Sequence, residues 1–166
     1  VPQDGKGIEV VASGLRAPGG VAVGPNGEIT TGENEGTWQP RRQLTYITTR
    51  GKFLGTLDTG HQFKEDQYHQ PPCYFPMAVD HSGGGQVWVP EGGALGLKGG
   101  ELLHLSYGKS SVYRVLKEEI NGQFQGGVAK LPAMLKSSAQ TARFGPDKDL
   151  FVLGFRGWQT NASTHC

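Results

Sequence analysis

Cysteine is nearly missing from this sequence: Cys73 and Cys166 are the only two among 166 residues. Without a C-x-x-C pair, neither a disulfide framework nor a cysteine-rich metal site is available. The two read as separate thiols, with pairing to each other or to cysteines elsewhere left open. Charge of one sign is missing as well. Sixteen basic and fifteen acidic residues leave a formal net charge of +1, and no basic stripe forms, which argues against a nucleic-acid partner. No apolar run approaches the ~20 residues of a membrane-spanning helix. A sustained helical period is absent too; Val115 to Ile120 alone leaves open a turn of helix or the end of a strand. Also lacking are G-x-S-x-G, a Walker loop, a dinucleotide G-x-G-x-x-G opening a helix, H-E-x-x-H and the haem-attachment motif C-x-x-C-H. These absences leave hydrolase triads, nucleotide cofactors and covalent haem without support.

Glycine and proline are abundant, with 27 and 10 residues. Both are spread between short apolar triplets, so they mark many turns in one all-β domain. The stretch "GLRAPGGVAVGPNGEITTGENEGTW" (14 to 38) shows the unit. Val21-Ala22-Val23 is a strand, Gly24-Pro25-Asn26-Gly27 a turn, and Glu28 to Thr31 the returning strand. Pro25 fixes φ at the first central position, and Gly27 tolerates positive φ. The unit recurs in "FPMAVDHSGGGQVWVPEGG" (75 to 93) and "TARFGPDKDLFVLGFRG" (141 to 157). Ile29 and Val87, like Glu33 and Glu91, are 58 residues apart, and Pro25 and Pro146 are 121 apart. Further strands are expected in 43 to 57, 100 to 116 and 122 to 131. About four strands per period read as β-propeller blades beginning near residues 14, 75 and 141. The rival fold is an irregular β-sandwich.

Three four-stranded blades are half of a six-bladed propeller and too few to close a ring. The expectation is therefore a partial propeller over 1–166. Its partners would be the remaining blades of a longer chain, which the unfinished look of both ends favours, or a second copy.

Chemistry is expected where loops follow return strands. Glu33, Asn34 and Glu35 do so, as do Glu91 and Arg156, and matched spacing would gather them around one mouth. Singly, each reads as a solvated loop charge; together they suit calcium, sugar hydroxyls or an anionic cofactor. Trp38 and Trp158 sit in such loops as platforms for a sugar ring, whereas Trp88, between Val87 and Val89, reads as packing between blades. Arg16, before Pro18, bonds either neighbouring carbonyls or a ligand. His61 and His69 flank Glu65 and Asp66 in what reads as a solvent loop. His104 reads as facing the surface or the channel, and His81 as a structural turn residue.

The run Leu15-Arg16-Ala17-Pro18-Gly19-Gly20-Val21-Ala22, with Pro25-Asn26-Gly27 and the loop from Glu33 to Gly36, resembles the glucose/sorbosone dehydrogenase family. "AVDHSGGGQVWV", "KGGELLHLSYGKSSVYRVLKEEINGQFQGGV" and "FVLGFRGWQTNA" resemble its subgroup of large secreted proteins from planctomycete-type bacteria. That resemblance implies a six-bladed propeller binding pyrroloquinoline quinone and calcium, joined to a cytochrome c domain. It implies a periplasmic or secreted oxidoreductase that takes electrons from a sugar, polyol or other alcohol to the quinone or the cytochrome. Arg16 matches the family arginine beside the active centre. Gly32 to Thr37 matches the calcium loop, with Glu35 and Gly36 as the ligand-bearing positions. Ala17 stands where the family has an asparagine that contacts the quinone, and the blade carrying the catalytic histidine has no counterpart here. Both departures count against quinone binding by this chain. They keep open the alternative of a non-catalytic propeller that binds glycan or protein.

Overall fold

Short apolar runs cut by glycine and proline give strands and no helix among the described residues, which are 1–34, 42–47, 50–54, 68–133 and 135–155 of the computed structural model. Three sheets follow one another along the chain. The first has the order β2 (Ala22–Val23), β3 (Ile29–Glu33), β4 (Arg42–Ile47), β6 (Cys73–Phe75). The second runs β7 (Gly83–Trp88), β8 (Leu102–Ser106), β9 (Ser111–Ile120), β10 (Gln123–Lys130), and the third is the pair β11 (Thr141–Phe144) and β12 (Leu150–Leu153). All pairings within these sheets are antiparallel. β1 (Ala12–Ser13) and β5 (Lys52–Phe53) form a separate parallel ribbon. None of the sheets closes on itself. The all-β expectation holds, and the third sheet shows two strands rather than four among the described residues.

The opening hairpin forms as its turn residues dictate. Gly27 N donates to Gly24 O at 3.0 Å and Gly24 N to Glu28 O at 2.7 Å, with Gly27 at φ 83°. The β11–β12 hairpin repeats this 121 residues later: Lys148 N donates to Gly145 O at 3.0 Å and Gly145 N to Asp149 O at 2.9 Å. Asn121 and Gly122, at φ 52° and 78°, make a two-residue link that carries β9 straight into β10. Positive φ at both central residues is what a tight hairpin needs. Val115 to Ile120 is therefore strand, not helix.

Two expectations fail. Residues 75 to 93 are not a hairpin: Phe75 ends the first sheet, and Val79 N and Asp80 N both bond back to Pro76 O, which makes a local turn. β5 does not return along β4 but pairs with β1.

First strands lie side by side and run the same way. A Cβ on Gly20 would meet Gly85, and one on Gly24 would meet the Trp88 ring, which sets β2 along β7. Gly85 N donates to Gln140 O at 2.7 Å at the start of β11. Val21 to Val23, Gln86 to Trp88, Arg143 and Phe144 line one groove between the three strands. β7 is thus the counterpart of β2, not of β3, and the 58-residue match of Ile29 to Val87 pairs strands of different rank.

The core lies between sheets. Leu44 and Phe75 of the first sheet pack on Leu102 and Val115 of the second, with Trp88 between them as expected. Val87, Leu103, Leu105 and Val112 of the second pack on Ala142, Phe144, Leu150 and Val152 of the third. Alternation along each strand produces this: odd-numbered residues of β8 face the third sheet and even-numbered ones the first.

Candidate functional site

Because first strands share a direction, all three begin, and all three second strands end, at one end of the assembly. A cavity of about 250 Å³ opens there. The first sheet contributes Ala17, Pro18, Gly19 and Asn34; the second Ser82, Gly83 and Tyr107; the third Gln140 and Phe155. Asn34, Tyr107 and Phe155 hold equivalent places, just after β3, β8 and β12. Tyr107 and Phe155 meet edge to face, with ring centroids 6.2 Å apart and planes at 66°. Glycine lets the strands come this close: a Cβ on Gly19 would sit 2.4 Å from Gly84 O, and one on Gly84 2.3 Å from Ala139 O.

In each sheet a different device ties the entering segment to the end of the second strand. In the first it is Glu33, which is 1 % exposed. Its Oε2 accepts from Arg16 N at 2.6 Å, and its Oε1 from Ala17 N at 2.7 Å and Asn34 N at 2.8 Å. Burial pushes the Glu33 carboxyl up; the three N–H bonds and the Arg16 charge pull it down, and burial prevails. In the third sheet Ser138 Oγ donates to Phe155 O at 2.7 Å and accepts from Phe155 N at 3.1 Å.

In the second sheet the device is a buried polar cluster. His104 Nε2 lies 2.8 Å from Asp80 Oδ2, and Ser106 Oγ donates to Asp80 Oδ1 at 2.5 Å. Ser82 N reaches the same Oδ1 at 3.2 Å, and Tyr107 N donates to Ser82 O at 2.8 Å. Burial would raise the Asp80 carboxyl, but the His104 bond and charge with the Ser106 and Ser82 bonds hold it below its usual range. His104 stacks on Phe75 at 4.8 Å. It therefore faces neither the surface nor the channel. A Cβ on Gly32 would lie 3.0 Å from its Cε1, so the glycine in β3 makes room for the ring.

Among the sequence-predicted site residues, the mouth gathers Asn34 into its wall and Glu33 directly behind it. Arg16 is exposed, one residue before the lining segment. Glu91 lies at the opposite end: it follows β7, and its carbonyl accepts from Lys148 Nζ at 3.3 Å in the β11–β12 turn. The shared mouth for Glu33 and Glu91 is thus corrected, because β3 and β7 run in opposite directions. Glu35, Gly36, Trp38, Arg156 and Trp158 lie outside the described residues. Sequence reasoning missed Ser82, Tyr107, Gln140 and Phe155. The usable signal was positional, since Phe155 follows Asn34 by the same 121 residues that separate the two proline turns.

The lining chemistry is neutral. Amides at Asn34 and Gln140, hydroxyls at Ser82 and Tyr107 and two aromatic rings suit a ligand rich in hydroxyls with an apolar face. Among the described residues the buried Asn34 Oδ1 has no hydrogen-bond partner. No group of three potential metal ligands occurs among them. Ala17 offers no hydrogen-bonding side chain, and Glu33, the nearest carboxylate, has both oxygens engaged by backbone.

No family model matches the sequence, and no curated protein matches it. A solved structure from Thermus thermophilus, described as an oxidoreductase of the glucose dehydrogenase kind, is similar in fold, with a TM-score of 0.63 at 19 % identity. The match covers 86 % of this chain and 39 % of the other, so this chain spans about two fifths of that protein's length. At that identity the likeness establishes architecture alone. The chain has an all-β, glucose dehydrogenase-like arrangement of sheets, consistent with a propeller.

Proposed function

We propose that this chain forms the ligand-binding mouth of a secreted or periplasmic sugar or alcohol dehydrogenase-like propeller. The full protein of which it would be part oxidises a sugar or polyol and passes electrons to a quinone or a linked cytochrome. The planctomycete-type subgroup belongs to the same proposal. One observation carries it: the cavity sets the Asn34 and Gln140 amides and the Ser82 and Tyr107 hydroxyls beside two aromatic rings. Sugar hydroxyls would pair with those polar groups, and Tyr107 and Phe155 would offer an apolar surface for ring C–H groups. Calcium on the carbonyls of the Glu35–Gly36 loop is part of the proposal, and a calcium-dependent rise in melting temperature is its check.

Calorimetric titration of the chain with glucose and a panel of polyols tests the binding reading. Millimolar binding that is lost in Asn34→Ala and weakened in Tyr107→Ala supports it; no binding across the panel rejects it. A second reading is favoured by Ala17 and by the engagement of Glu33: a glycan-binding module without turnover. A dye-linked assay with added quinone separates the two, since dye reduction by this chain would reject the non-catalytic reading.

A further inference from the structure

The second sheet carries an arm that its own strands do not support. Pairing of β8 with β9 stops at Leu102 opposite Val115, yet β9 runs on to Ile120 and returns as β10. Residues 116–127 are therefore a hairpin with no third strand beside them. A lone two-stranded hairpin is marginal in water, so this one needs a hold. Gly126 N donates to Pro72 O at 2.8 Å and Gln123 Nε2 to Gln70 Oε1 at 3.3 Å, both just before β6. The other hold is a cage of rings around Lys117. Its Nζ lies 5.1 Å from the Tyr46 ring centroid, 5.0 Å from that of Phe124 and 5.9 Å from that of Trp88. Tyr46 is 4.6 Å from Phe124 and 6.2 Å from Trp88, centroid to centroid. Lys117 Nζ also donates to Tyr46 Oη at 3.4 Å, and that hydroxyl donates to Glu28 Oε1 at 3.2 Å. Burial and the Glu28 charge push the Tyr46 phenol up, so the ring stays neutral. Among the described residues no ion pair includes Lys117.

We propose that Tyr46, Trp88 and Phe124 form a site for an alkylammonium ion, and that its occupant is the chain's own Lys117, which straps the arm to the first sheet. An ammonium group is drawn to the negative faces of aromatic rings, and three rings with a carboxylate behind one of them suit an organic cation. Strand alternation builds the site. Lys117 shares with Val115 the face of β9 turned to the first sheet, where Val115 packs with Leu44 and Phe75. The cage lies inside the row of sheets, between the first and the second, and uses neither end of that row. It stands at the end opposite the mouth, beside the turn that joins β2 to β3. Tyr46 and Trp88 belong to β4 and β7, whereas Lys117 and Phe124 ride on the arm. Occupancy and arm position are therefore one equilibrium. With Lys117 in place, the tethered ammonium competes with any free one at an effective concentration on the order of millimolar. With it gone, the rings are open to an external alkylammonium ligand.

Hydrogen exchange of the arm and proton NMR of added tetramethylammonium, read on the same variants, are the experiment. Lys117 is exposed, so changing it leaves the core intact. Lys117→Met keeps the apolar stem and removes the charge, while Lys117→Arg keeps the charge. Amides of 117–127 should exchange about tenfold faster in Lys117→Met than in the wild type. In Lys117→Arg they should stay near the wild-type rate. Lys117→Ala empties the cage, so it should shift the tetramethylammonium methyl signal upfield and saturate at millimolar concentration. The wild type should bind the same ion at least about tenfold more weakly, and Lys117→Ala combined with Phe124→Leu should lose most of the shift. Unchanged arm exchange in Lys117→Met would assign the hold to the stem alone and overturn the strap. Equal tetramethylammonium binding by the wild type and Lys117→Ala, or none by Lys117→Ala, would overturn the cation site.

Discussion

His104 Nε2 and Asp80 Oδ2 are 2.8 Å apart with neither side chain exposed to solvent. Strand alternation puts His104 on the face of β8 opposite Leu103 and Leu105, and the turn from Pro76 swings Asp80 beneath it. Asp80 then commits its other oxygen to Ser106 and Ser82. The cluster so fixes two segments that end in mouth residues, Ser82 and Tyr107. Removing one member of a buried polar cluster of this kind costs much, because the groups left behind stay buried without partners.

Asp80→Ala is accordingly expected to destabilise the chain by about 3 kcal/mol. Its pH behaviour has a definite sign. The native Asp80 carboxyl lies below its unfolded value of about 3.9, so its contribution is present above that pH. It is lost as pH falls through the native value. Urea midpoints of the wild type should drop on acidification below about pH 4, and Asp80→Asn should flatten that drop. An equal acid slope in both proteins would show that other carboxylates govern it.

Local chemistry was readable where one turn decides the structure. The Gly-Pro-Asx turns and the 121-residue spacing both reappear in the structure. The 58-residue match misled because it compared residue types and not strand rank. β7 is a first strand like β2, but a longer connection, Val89 to Glu101, separates it from β8. Met77-Ala78-Val79 looked like a strand because it is apolar; bonds to Pro76 O and the pull on Asp80 make it a turn. At the site, Glu33 was visible as a carboxylate near the mouth. Its task of holding Arg16 N and Ala17 N depends on how β3 meets the segment before β2, which no local pattern encodes. Tyr107 and Gln140 carry no motif at all.

Lys148 occupies the place that Gly27 holds in the equivalent turn, with φ 64° against 83°. A side chain in this left-handed region costs on the order of 1 kcal/mol, partly offset because glycine loosens the unfolded chain. Lys148→Gly should therefore stabilise the protein by about 0.5 kcal/mol, and Gly27→Ala should destabilise it by about 1 kcal/mol. Nothing lies within 4 Å of a Cβ at Gly27, so backbone strain alone is read out there. Paired thermal melts with shifts of opposite sign are the expected result.

Gly84 tests how close the sheets must come. Its added Cβ would sit 2.3 Å from Ala139 O and 3.0 Å from Leu105 O, both backbone atoms that cannot swing away. Gly84→Ala should cost about 3 kcal/mol or more by overpacking. It should also part β7 from β11 at the floor of the mouth. Gly127→Ala, where a Cβ meets nothing within 4 Å, is the control and should leave the melting temperature near wild type.

Glu33 joins stability to the site, so its variants should move both. Glu33→Ala leaves Arg16 N, Ala17 N and Asn34 N without their acceptor, at a cost of about 2 to 3 kcal/mol. The segment from Arg16 to Gly19 then loses its hold on the cavity wall, and carbohydrate affinity should fall further than fold stability alone explains. Glu33→Gln keeps one acceptor but turns an amide N–H toward the donors on the other arm. It should cost less, about 1 to 2 kcal/mol. The pH sign is opposite to that of Asp80. The native Glu33 carboxyl is raised above its unfolded value of about 4.3, so the folded state holds that proton more tightly. Its stability contribution is full below that pH and declines as pH rises through the native value. Glu33→Gln removes this decline while Asp80→Asn leaves it in place. Stability measured from acid to neutral pH in the two variants, beside ligand titration at neutral pH, separates a carboxylate that merely braces the fold from one that also shapes the mouth. Unchanged affinity in folded Glu33→Ala would assign it the bracing role alone.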